Sequence, residues 1–148
     1  MSMQLWRISN YDDLQGVGGL LASARWRNAP RAIVYAAESP AGALVEVLVH
    51  FDREDLPEDL QLIEISVDDD ASTDSAGERR LSHFWRHDLA ETRRIGDIWL
   101  GEEKSLALRL PSVICPRTWN FLLNSRDPES SRMRVVSAEK FPFDGRLK

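Results

Sequence analysis

The strictest constraint on this chain is the dipeptide Ser39-Pro40, set between two apolar runs of different period. Before it, residues 31–37 (Arg-Ala-Ile-Val-Tyr-Ala-Ala) read as a short strand with Ile33 and Tyr35 on one face. After it the pattern changes to that of a helix. Ser39 suits the N-cap, and Pro40 suits the first helical position, where its missing N–H leaves no hydrogen bond unmade. Ala41, Leu44, Val45, Leu48 and Val49 then recur as one apolar stripe, which predicts an amphipathic helix buried along that stripe. Glu46 falls off the stripe, beside Gly42 and His50, so it faces solvent or a site rather than the core.

The rest of the chain fits the same mixed pattern. Residues 61–67 alternate, with Ile63, Ile65 and Val67 on one side, and predict a half-buried strand ended by Asp68, Asp69 and Asp70. Residues 88–100 predict a helix interrupted at Gly96. Residues 105–110 alternate again, with Leu106, Leu108 and Leu110 on one face and Pro111 marking the end. Residues 132–137 predict a further strand with Met133 and Val135 inward. Strands and two or three helices without regular βαβ alternation make this an α+β domain, and 148 residues fit one domain with a core that needs no staples.

Charge and composition exclude several classes of function. One cysteine, Cys115, permits no intrachain disulfide, and neither a signal core nor a membrane-spanning run is visible, which predicts a cytoplasmic protein. The net charge is −5, and residues 52–78 concentrate eleven acids against one base, Arg53, a pattern that predicts a solvated connection between core elements. Without a basic stripe or a DNA-reading motif, direct nucleic-acid binding has no support.

Familiar catalytic motifs fail on inspection. Gly16, Gly18 and Gly19 lack the preceding strand, the spacing and the lysine of a phosphate loop, and predict a turn. His83 and His87 stand four apart but have no third ligand, so no metal site is expected; they read as surface histidines beside a core Phe84-Trp85. Cys115, in the run Val113-Ile114-Cys115, reads as a buried small hydrophobe. Ser112 lacks the glycine-flanked elbow of a hydrolase nucleophile. Arg25, Tyr35, Glu46 and Ser112 remain as a spread-out set, each of which also has a structural reading: surface arginine, core aromatic, solvated helix residue, strand-end hydroxyl.

The order and spacing of several short segments carry more. These are Ala24-Arg25-Trp26-Arg27-Asn28, Val34-Tyr35-Ala36-Ala37-Glu38-Ser39, Leu44-Val45-Glu46-Val47-Leu48-Val49-His50, Ile95-Gly96-Asp97-Ile98-Trp99-Leu100, Leu110-Pro111-Ser112-Val113-Ile114 and Asn120-Phe121-Leu122-Leu123-Asn124. Together they resemble the RES-domain family, toxins of Xre–RES toxin–antitoxin pairs, along nearly the whole of residues 1–148. The chain departs from the family pattern at Ser23-Ala24, where a glycine usually precedes the arginine, and by an extra Arg27.

The resemblance implies a mixed, split sheet with flanking helices, as in ADP-ribosyltransferases, and activity on NAD⁺ as a consumed substrate with no metal. It implies catalytic roles for Arg25, Tyr35, Glu46 and Ser112, with Arg7, Arg25, Tyr35 and Ser112 contacting the dinucleotide. The expected partner is a cognate antitoxin with an Xre-type helix-turn-helix, so DNA is reached only through it, and a homo-oligomer inside that complex is compatible. Two other readings stand beside NAD⁺ degradation: mono-ADP-ribosylation of a protein, and a non-enzymatic interaction module.

Overall fold

The computed structural model describes residues 1–16, 25–28, 31–51, 55–76 and 81–147. Seven strands form one mixed sheet: β1 (Ser2–Ser9), β2 (Ile33–Ala37), β3 (Gln61–Asp68), β4 (Thr73–Ser75), β5 (Ala107–Pro111), β6 (Trp119–Asn124) and β7 (Met133–Lys140), in the order β4-β5-β6-β2-β1-β3-β7. Among the described residues, two α-helices, α1 (Pro40–His50) and α2 (Leu89–Glu102), flank the sheet of this α+β domain. Among the described strands only β4 and β5 pair in parallel. The sheet is split at its middle, because β1 and β2 are joined by the single pair Trp6–Ala37.

Both faces of the central strands are covered. Val34 and Ala36 of β2, Phe121 and Leu123 of β6 and Ala107 of β5 pack with Leu5, Ile63, Ile65 and Val67. Their alternating neighbours Ile33, Leu122, Leu108 and Leu110 pack instead with Trp26, Trp85 and Trp99. Burial on both sides erases the period of two that marks a half-exposed strand. That is why β6 has no alternating signature. The edge strand β4 is too short to show one, and β1 also lies outside the expected set of strands. The acidic stretch 52–78 is not only a connection: it contributes β3 and β4 to the sheet.

Helix α1 starts as expected, with the Ser39 hydroxyl accepting from the Gly42 N–H at 3.0 Å. Its orientation differs from expectation. The buried positions are Gly42, Ala43 and Val47, while Ala41 is exposed, Val49 is 52 % exposed, and Leu44, Val45 and Leu48 are half-buried. Close approach decides this. A Cβ at Gly42 would stand 3.3 Å from the Ala37 Cβ, so small residues let α1 settle on the end of β2. Glu46, four residues after Gly42, is thereby turned toward the sheet.

Helix α2 is capped by Asp88, whose carboxylate accepts from the Glu91 N–H, and it runs through Gly96 without interruption. Two further expectations are corrected. Phe84 is exposed, and only Trp85 of that pair joins the core. Cys115 is exposed, in the turn between β5 and β6, where backbone bonding rather than burial shapes the chain. The expected turn at residues 16–19 falls partly outside the described residues. Gly16 itself has φ of +69° and a backbone packed against Ile33, which only glycine accommodates.

Candidate functional site

The strand register brings the first group together. Tyr35 pairs with Leu122, Ala37 with Asn120 and Leu110 with Asn120, so Tyr35, Ala37, Asn120 and Leu110 share one face. Tyr35 and Asn120 are then diagonal neighbours, roughly 7–8 Å apart along the backbone. Ser112 follows Leu110 by two residues on the same side, and its N–H continues the ladder to the Thr118 carbonyl at 2.8 Å.

Above this face, Glu46 of α1 is gripped at one oxygen. Ser112 Oγ donates to Glu46 Oε1 at 2.9 Å, and Asn120 Nδ2 donates to the same oxygen at 2.8 Å. Ser112 is itself fixed, because its hydroxyl oxygen accepts from the N–H groups of Ile114 and Cys115, each at 3.1 Å. With only 1 % of its surface exposed, Ser112 serves as a buried strut between the β5–β6 turn and the carboxylate. Among the described residues Glu46 Oε2 makes no hydrogen bond.

The second group is an irregular stretch, residues 25–28, held on α2. Thr92 Oγ1 donates to the Arg25 carbonyl at 2.7 Å, and Asp97 accepts from the Asn28 N–H at 3.0 Å and from its side-chain amide at 3.1 Å. Between them Gly96 lies against the Trp26 carbonyl, and a Cβ there would stand 1.5 Å from that oxygen. Thr92 and Gly96, four apart, share the face of α2 on which this stretch rests, and the contact with Trp26 explains a glycine in mid-helix.

Within that stretch, Arg25 Nη2 donates to the carbonyls of Trp85 at 3.1 Å and Arg86 at 2.5 Å. Burial first, and then nearby Arg93, lower the Arg25 guanidinium from its ordinary value, while Asp88 acts in the opposite direction. Arg27 is 2 % exposed and stands 5.7 Å from the centre of the Tyr35 ring. Burial pushes the Tyr35 phenol up; the adjacent Arg27 opposes that shift.

Not all expected residues meet. Glu46 and Ser112 are in contact and Tyr35 lies on the same sheet face, whereas the Arg25 side chain bonds the Trp85 and Arg86 carbonyls. Arg7 pairs with Ile63 and so lies on the face of β1 opposite Trp6; its Nη2 donates to Ser9 Oγ at 3.0 Å. Burial lowers the Arg7 guanidinium, with Asp13 opposing. A surface hollow of about 250 Å³ lined by Leu56, Pro57 and Phe143 shares no residue with this cluster. Two residues absent from the expected set, Asn120 and Arg27, sit directly against Glu46 and Tyr35. Both lie in segments that carried the resemblance, but nothing in their local pattern marks them.

Comparisons with known proteins agree with this architecture. The model of the RES domain matches residues 4–144. A protein from Pseudomonas putida named Toxin Res is 43% identical over 147 residues, covering 98% of this chain and 99% of its own. A Sphingobium protein named Prs ADP-ribosylating toxin is 33% identical, covering 99% of this chain and 98% of its own. The crystal structure of the M. tuberculosis MbcT–MbcA toxin–antitoxin complex contains a chain with the same fold, at a TM-score of 0.71 and 14% identity, covering 95% of this chain and 85% of that one. The chain belongs to the RES-domain family.

Proposed function

We propose that this protein is the toxin of a toxin–antitoxin pair and that it degrades NAD⁺ in the cytoplasm by cleaving the nicotinamide–ribose bond. The observation that carries the reading is the Glu46 carboxylate, oriented by Ser112 and Asn120 on the sheet face that also bears Tyr35. When the C–N bond breaks, its electron pair leaves with nicotinamide, which becomes a neutral ring, and positive charge develops on the ribose. A fixed carboxylate stabilises that charge as it forms. Nicotinamide needs no protonation to depart, so the mechanism requires no histidine. Water or phosphate then adds to the sugar and loses a proton to solvent.

Tyr35 offers a ring face for the nicotinamide. Arg25 supplies a guanidinium for the diphosphate, whose paired oxygens match its fork geometry. Relatives named as toxins, and a fold shared with a chain of a toxin–antitoxin complex, support an antitoxin as partner. A second reading, transfer of ADP-ribose to a protein, is favoured by the Sphingobium relative's name.

Expression of the chain alone in bacteria is expected to arrest growth while cellular NAD⁺ falls. Purified protein with labelled NAD⁺ is expected to release nicotinamide in amounts far exceeding the enzyme. Arrest with an undiminished NAD⁺ pool, and label retained on one protein, would instead establish ADP-ribosylation.

A further inference from the structure

We propose that Asn120 is a positioning residue for Glu46, setting which carboxylate oxygen faces the substrate; this rests on the reading of Glu46 as the charge-stabilising group. Asn120 lies on β6, flanked on both sides by β5 and β2, so its backbone belongs to an interior strand rather than a loop. Its Nδ2 and the Ser112 hydroxyl reach the same oxygen, Oε1, one from β6 and the other from the residue that follows β5. One hydrogen bond would leave the carboxylate free to turn about it. Two donors converging from different directions fix the plane and leave Oε2 as the oxygen presented outward.

The amide's own geometry supports the assignment. A carboxylate only accepts hydrogen bonds, so the side chain must turn its NH₂ toward Glu46 and its oxygen away. That oxygen, Oδ1, is buried and has no hydrogen-bond partner among the described residues. A buried acceptor left unpaired is costly, and structures retain such groups chiefly where another demand sets the orientation. Here the demand is the Glu46 contact. An asparagine kept only for packing would serve as well with an apolar side chain.

The test measures NAD⁺ turnover for wild type, Asn120→Asp and Asn120→Ala on the full chain, together with crystal structures of all three. Asn120→Asp is nearly isosteric but replaces the donor with a second acceptor. Turnover is expected to fall roughly tenfold or more in both variants, most in Asn120→Asp, while KM changes by less than about threefold, because the lost orientation acts on the transition state. In the structures the Glu46 carboxylate is expected to leave its place beside Ser112 Oγ. Wild-type kcat, or a loss confined to KM, would overturn the proposal, as would an undisplaced carboxylate. The structures need no activity: a wild type inert toward NAD⁺ would remove the proposed reaction, yet the carboxylate's position would still decide whether Asn120 holds it.

Discussion

The carboxylate side of the site and the arginine side are built by opposite means. Glu46, Ser112 and Asn120 come from a helix, a strand end and a strand, and Ser112 and Asn120 each meet Glu46 through a short hydrogen bond between side chains. Arg25 and Arg27 come from an irregular stretch whose backbone is fastened to α2 by Thr92, Gly96 and Asp97. On the first side the fold supplies positions and the side chains do the fastening. On the second, the fastening residues are remote from the groups they place. Substitutions should therefore separate: remote ones ought to damage the arginine side, and only direct ones the carboxylate side.

Gly96→Ala tests that separation most severely. Its new methyl would overlap the Trp26 carbonyl, a backbone atom that cannot move without carrying Arg25 and Arg27 along. Overpacking of this kind costs about 1–3 kcal/mol or more. Both a clear drop in melting temperature and near-complete loss of NAD⁺ turnover are expected. A variant that melts and turns over like wild type would mean that α2 does not set the arginine stretch.

The same contrast explains what the sequence made legible. Ser39-Pro40 located α1 correctly, since capping is a local interaction between adjacent residues. It left the helix's rotation undetermined: the more apolar stripe stayed partly exposed because backbone approach favoured Gly42 and Ala43. Glu46 was correctly kept out of the core, yet its partners Ser112 and Asn120 lie 66 and 74 residues away. No local period encodes such a meeting. Gly96 read as an interruption because glycine disfavours helices, whereas its reason is a contact with Trp26, seventy positions earlier in the chain. Cys115 was misjudged from its apolar neighbours, although the turn that exposes it is organised by the Ser112 hydroxyl.

Glu46→Gln sharpens the carboxylate side. Glutamine keeps the size and an oxygen able to accept from Ser112 and Asn120, so the melting temperature should barely change. The negative charge is lost. Removal of a preorganised charge-stabilising group typically lowers turnover by about a hundredfold or more. Single-turnover nicotinamide release should show that loss, with calorimetric NAD⁺ affinity changing little. Equal losses in rate and binding would make Glu46 a ground-state contact, and no loss in either would reduce it to a structural partner of Ser112.

Arg25→Lys should have the smallest effect of the three, and its outcome distinguishes two uses of one guanidinium. Arg25 Nη2 already donates to the Trp85 and Arg86 carbonyls, tying residues 25–28 to the turn before α2. A lysine ammonium has donors for carbonyls but lacks the planar fork that matches a diphosphate. The backbone contacts from Thr92 and Asp97 are untouched, so the fold should persist with a modest fall in melting temperature. Loss of one charge-assisted hydrogen bond is worth about 1.5–3 kcal/mol, or roughly ten- to a hundredfold in NAD⁺ affinity. Calorimetry of NAD⁺ binding beside a thermal melt separates the uses. Weaker binding with a nearly unchanged melt assigns Arg25 to the substrate. A lower melt with unchanged affinity assigns it to the strut alone, and the diphosphate contact would then have to come from another cation, with buried Arg27 beside Tyr35 the first to examine.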